Sequence, residues 1–128
     1  MITHDELIFA IEQELGITHG TDFLVAHPIG EDGKQCGEAY LFRWKTTKVA
    51  QPNIEKMKAL YYKEHCGNFA ATRAREQRDF LIAATDWTQG ADVPKAVKAK
   101  FSGHRQALRD VPDQPGFPHT IDWPVAPQ

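Results

Sequence analysis

The sequence predicts an α+β fold: an N-terminal helix, a β-hairpin, two to three further helices and an extended, proline-rich C-terminal tail. Three observations carry that expectation. Apolar residues recur at helical spacing near the N-terminus and again through residues 53–110, whereas two short runs between these regions alternate in the strand period. An Asp32-Gly33 pair lies between the two runs and marks a turn. After the last helical phrase come Pro112, Pro115, Pro118, Pro124 and Pro127, which suit neither a regular helix nor a central strand.

Each element has its own local signal. Thr3 and Glu6 have the T-x-x-E spacing of a capping box, Leu7, Ile8, Ile11 and Leu15 follow on one face, and Gly16 is a natural stop. The runs 22–29 and 37–45 form the hairpin. In the second, Tyr40, Phe42 and Trp44 share one face by the two-residue period, and that aromatic face is expected to pack on a helix, because an isolated hairpin is marginal in water. From Asn53, Ile54, Met57, Leu60 and Tyr61 read as helix, with a break or kink expected at Cys66-Gly67-Asn68. A further helix over 69–87 carries Ala70, Ala74, Leu81 and Ala84 as a thin apolar stripe, joined by Phe80 and Trp87. Asp92 is expected to cap the last helix, 94–110, with Pro94 in its first turn and Val97, Phe101, His104 and Leu108 on its buried face. Residues 1–50, helix plus hairpin, and 51–128, helices plus tail, are expected to form one compact unit.

Bulk composition narrows the function. At 128 residues, 41% hydrophobic and 25% charged, the chain is of ordinary domain size and can bury roughly two-thirds of its unfolded surface. The N-terminus has no basic region followed by an apolar run, and no stretch approaches membrane-spanning length. Cys36 and Cys66 are expected to be free thiols. A net charge of −2 argues against a protein whose task is neutralising phosphates. Lys95, Lys98, Lys100, Arg105 and Arg109 place positive charge on the last helix, where a solvated face favoured by the helix dipole accounts for them.

Catalytic chemistry finds little support. None of the six histidines forms a helical metal pair. His27, Cys36, His65 and Cys66 make four donors, but no C-x-x-C hook anchors them. GEDGK lacks the spacing of a phosphate-binding loop, and the only serine, Ser102, lies inside a predicted helix rather than on a nucleophile elbow. The expectation is a non-enzymatic protein with neither metal nor cofactor.

The remaining phrases look like contacts. Arg78, Asp79, Asp86 and Asp110 are expected to serve as structural ion pairs, with Arg78 and Arg109 each placed to reach a carboxylate across a helical hairpin. Phe117, Pro118, Ile121, Trp123 and Pro124 put large apolar groups into a stiff, extended segment. Such a segment loses little entropy on docking. These five residues, with Trp87, Arg105 and Arg109, are the candidate partner-binding set. Trp123 and Phe117 are expected to dock the tail on the protein's own helices while leaving some of its surface to a partner.

Taken in order, Arg78-Asp79 with Leu81, Thr85-Asp86-Trp87, Asp92 with Pro94, Arg105 through Asp110, Pro115 through Pro118, and Trp123-Pro124 resemble the C-terminal signature of phage tail assembly chaperones, including tail fibre assembly proteins. The resemblance covers residues 78–127. His104 stands where that family usually has tyrosine, and Phe101 where it usually has tryptophan; both keep a ring on the apolar face. The resemblance implies a helper that binds a tail fibre or other tail protein, a trimer in the fibre case, and promotes its folding and oligomerisation. It would act in the host cytoplasm during assembly, without nucleic acid or membrane, and retention in the virion tail is left open. A structural virion subunit and a small DNA-binding regulator are the alternatives.

Overall fold

The computed structural model describes residues 1–128 and shows the α+β architecture. Its elements group into two compact units, Met1–Phe69 and Ala70–Gln128. No helix is long and apolar enough to cross a membrane.

In the N-terminal unit, Thr3 caps α1 (His4–Leu15) in a full capping box, its hydroxyl accepting from the Glu6 N–H while the Glu6 carboxylate accepts from the Thr3 N–H. Gly16 ends the helix at φ 64, a left-handed conformation that a side chain would strain. Strands β1 (Phe23–Ala26) and β2 (Tyr40–Trp44) pair antiparallel. Leu7, Ala10 and Ile11 of α1 pack with Phe23, Val25, Ala39, Met57 and Tyr61 in one buried cluster.

The aromatic face of β2 is a correction to the sequence reading. Trp44 pairs with Phe23 and Arg43 with Leu24, but Val25 pairs with Leu41, so the register shifts between Leu24 and Val25. The extra residue on β2 breaks the two-residue alternation. Leu41 and Trp44 therefore both pack against the core, and Tyr40 and Phe42 are left 48% and 60% exposed. Trp44 lies stacked against Phe23 and donates its indole N–H to the Val49 carbonyl.

The break expected at Gly67 is absent. Helix α2 (Ile54–Leu60), capped by Asn53, runs into a π-helical turn, Tyr61–His65, and then directly into α3 (Cys66–Ala83), with Gly67 inside that helix. The irregularity instead lies one turn earlier, where the Cys66 N–H reaches the Tyr61 carbonyl. That turn faces α1: the Tyr61 hydroxyl donates to Glu6 at 2.6 Å, and His65 meets Glu14 at 2.6 Å. Burial, the Glu6 hydrogen bond and the Glu6 charge hold the Tyr61 hydroxyl far above the ordinary tyrosine range. Burial alone would raise Glu6, but hydrogen bonds from Tyr61 and Thr3 outweigh it and leave the carboxyl below its usual value.

In the C-terminal unit, α3 ends at Ala83, short of the expected 87, and a 3₁₀ turn, Asp86–Gln89, follows. Phe80 and Trp87 do not join the apolar stripe; they are 73% and 64% exposed. Helix α4 (Lys95–Arg109) begins after Pro94, whose ψ of 142 keeps the chain extended to that point. Asp92 is thereby left outside the capping position, and no side chain caps α4. Val97, Phe101 and His104 are half-buried on one face and Leu108 is fully buried, the spacing expected. A second 3₁₀ turn, Val111–Asp113, leads into the tail.

Candidate functional site

The TDW phrase and the RQALRD phrase meet at one arginine. Arg105, on α4, projects its guanidinium to the C-terminal end of α3. There its Nη1 donates to the Asp86 carboxylate at 2.8 Å, the Thr85 hydroxyl at 2.9 Å and the Ile82 carbonyl at 3.1 Å. The last carbonyls of a helix lack intrahelical partners, so a cation there satisfies both a hydrogen-bonding and a dipole demand. Thr85 also donates to the Ile82 carbonyl at 2.8 Å, and the fully buried Thr88 donates to the Thr85 carbonyl at 2.6 Å. The two threonines and Arg105 thus fold the chain sharply out of α3. Trp87 is carried outward by that turn and leans on Phe101, with ring centroids 5.9 Å apart.

The other expected ion pairs form differently. Arg78 pairs with its neighbour Asp79 at 2.9 Å, along one helix rather than across two. Arg109 donates to the Gln106 side-chain carbonyl, and Asp110 accepts from the Gln106 amide. The cross-helix carboxylate pair is Asp86 with Arg105, because α4 presents Arg105 toward the end of α3 while Arg109 and Asp110 are exposed.

The tail folds back before it extends. Gln114 acts as a side-chain clasp: its amide donates to the Asp122 carbonyl and its carbonyl accepts from the Asp122 N–H, both at 2.8 Å. The Thr120 N–H donates to the Gly116 carbonyl inside this loop, and a Cβ at Gly116 would come within 2.5 Å of the Thr120 carbonyl oxygen. The Phe117–Pro118 peptide is cis. Regular structure ends at Thr120, and residues 121–128 lie without turns or helix.

This loop brings the apolar tail residues to α3. Ala70, Ala74 and Gln77 face Pro118, Ile121 and Trp123 across an open groove of about 420 Å³, with Arg73 and His119 on its wall. The Arg75 guanidinium sits 5.2 Å over the Phe117 ring. Phe117, Pro118, Ile121, Trp123 and Pro124 are each half-buried, while Trp87 and Arg109 are exposed and Arg105 is partly covered. The predicted set is therefore not one patch. Arg105 is engaged at the α3–α4 corner, Trp87 stands outside it, and the tail residues line the groove.

Residues 71–128 match the model of the family described as phage tail assembly chaperone protein. The matched stretch holds the Arg105 corner, exposed Trp87, the Gln114 clasp and most of the groove, so it supports the family that the C-terminal motifs resemble. No curated protein and no solved structure matches the chain. Within this chaperone-like stretch, sequence reading missed the roles of Thr85, Thr88, Gln114 and Arg75. Thr85 lay in a quoted motif and Gln114 just before one, but their partners are distant in the chain and nothing local names them. Arg75, Arg73 and Gln77 carry no motif signal at all.

Proposed function

We propose that the protein is a non-enzymatic chaperone that binds a phage tail fibre or other tail protein in the host cytoplasm and promotes its folding and oligomerisation. The observation that carries this reading is the match of residues 71–128 to the tail assembly chaperone family. Fibre chains that trimerise through long-range strand pairing fold slowly and expose adhesive edges on the way. A helper for them requires apolar contact surface rather than a reactive group. Trp87, 64% exposed and backed by Phe101, is such a surface, with exposed Arg109 on the same helix as Phe101. The tail residues Phe117, Pro118, Ile121, Trp123 and Pro124 form the second part of the proposed interface, with Arg105 holding the corner between α3 and α4. The partner is protein, with no nucleic acid and no membrane; the net charge of −2 favours that choice.

The test is co-expression of a tagged tail fibre protein from the same phage with and without this chain, followed by size-exclusion chromatography with mass measurement. A soluble trimeric fibre only in the presence of this chain is the expected result. Co-elution in fixed stoichiometry adds that the chain stays as a virion subunit. A fibre that folds alone and ignores this chain refutes the proposal.

A further inference from the structure

Two elements of the N-terminal unit bring an imidazole and two carboxylates together from distant parts of the chain. Glu14 lies in the last turn of α1, and Glu64 and His65 lie in the π turn. One donor atom from each is within 4.8 Å of the other two. We propose that these three residues bind a divalent transition cation of the zinc class and that the ion staples α1 to the π turn.

The donor set fits that ion. Zinc takes imidazole nitrogen and carboxylate oxygen at about 2.0–2.2 Å, which puts neighbouring donors roughly 3.3–3.5 Å apart in a tetrahedron. Small side-chain movements bring the three donors to that spacing, and the His65–Glu14 pair, at 2.6 Å, has only to open by less than about 1 Å. Imidazole selects against calcium and magnesium, which prefer all-oxygen shells. Three protein donors leave a fourth position for water.

The surroundings hold two of the three donors in place. The His65 side chain is 13% exposed and that of Glu14 28% exposed. Phe9 meets the His65 ring edge-on at 6.3 Å and is itself braced by the Phe69 ring, 5.4 Å from that of Phe9, so the imidazole is positioned by packing as well as by Glu14. The π turn is the one place where this long helical run departs from α geometry, and such turns recur at functional sites. The other histidine group is a poor competitor: His4 Nε2 donates to the Val25 carbonyl and His19 Nε2 accepts the Val25 N–H, so both are already engaged.

The experiment is calorimetric titration of the full-length, chelator-treated protein with zinc chloride. It is run beside thermal melts with and without the ion. One equivalent bound and a raised melting temperature are expected. Glu64→Gln tests the assignment without disturbing the fold, because Glu64 is exposed and outside the His65–Glu14 bond. It is expected to weaken binding at least about tenfold. Absence of zinc binding overturns the proposal. So does unchanged affinity and stoichiometry in both Glu64→Gln and His65→Gln, which would put the ion on the thiols or other histidines.

Discussion

Replacing Arg105 by alanine tests whether the α3–α4 corner is a hydrogen-bonded joint or merely a surface ion pair. The Arg105 side chain is 13% exposed and Asp86 is 65% exposed. An exposed pair alone is worth about 0.2–1 kcal/mol. The neutral acceptors add more, at about 1 kcal/mol each for the Thr85 hydroxyl and the Ile82 carbonyl. The loss is tempered at Ile82, whose carbonyl keeps the Thr85 hydroxyl as donor. Arg105→Ala is therefore expected to destabilise the C-terminal unit by roughly 2–3 kcal/mol, and Asp86→Ala by less than about 1 kcal/mol. Urea unfolding followed by far-UV circular dichroism measures both. Arg105→Lys is expected to fall between them, because an ammonium keeps the charge but not the fork. If Arg105→Ala and Asp86→Ala cost the same within about 0.5 kcal/mol, the joint is only the ion pair and the reasoning fails.

Other expectations follow from single contacts. Tyr61→Phe removes the 2.6 Å hydroxyl bond to Glu6 and is expected to cost about 1.5–3 kcal/mol at neutral pH by thermal melting. Glu6 lies below its usual value in the folded state, so its contribution is present above the unfolded carboxyl pKa of 4.5 and is lost as pH falls through the folded one. The Tyr61→Phe difference is therefore expected to shrink in acid. Gly116→Ala forces a Cβ to 2.5 Å from a backbone oxygen and is expected to cost about 1–3 kcal/mol, with release of the Gln114 clasp visible in the Asp122 amide signal. Burial and the nearby His4 lower His19, so unfolded His19 takes a proton at 6.5 while the folded ring resists it. Stability is expected to rise with pH between the lowered folded pKa and the unfolded one, and a His19 titration by NMR at or above 6.5 contradicts this. Trp87→Ala is expected to leave stability within about 0.5 kcal/mol while abolishing association with the tail protein, read by co-elution.

Local signals determined both ends of α1, the start of α2 and the buried face of α4, but not the end of α3 or the start of α4. The Thr3–Glu6 box, Gly16, the Asn53 start and the four-three-four spacing of Val97, Phe101, His104 and Leu108 all involve residues within a turn of each other. They read the same before and after folding. The C-terminal motif order was equally legible, because it is a linear pattern, and residues 71–128 match the family it resembles. Decisions between distant segments were not legible. The bulge opposite Leu24 and Val25 turned Phe42 outward, because register belongs to a pair of strands and one strand's period cannot report it. The π turn replaced the break at Gly67 where Tyr61 and His65 meet Glu6 and Glu14 on another helix. Arg105, not Arg109, took Asp86, and Gln114 took the backbone of Asp122. The sequence by itself determined the capped start and glycine stop of α1, the start at Asn53, the buried face of α4 and which family the C-terminal half resembles. The tertiary structure alone decided which polar group meets which, because hydrogen bonds are short and directional while chain separation says nothing about distance in the folded state.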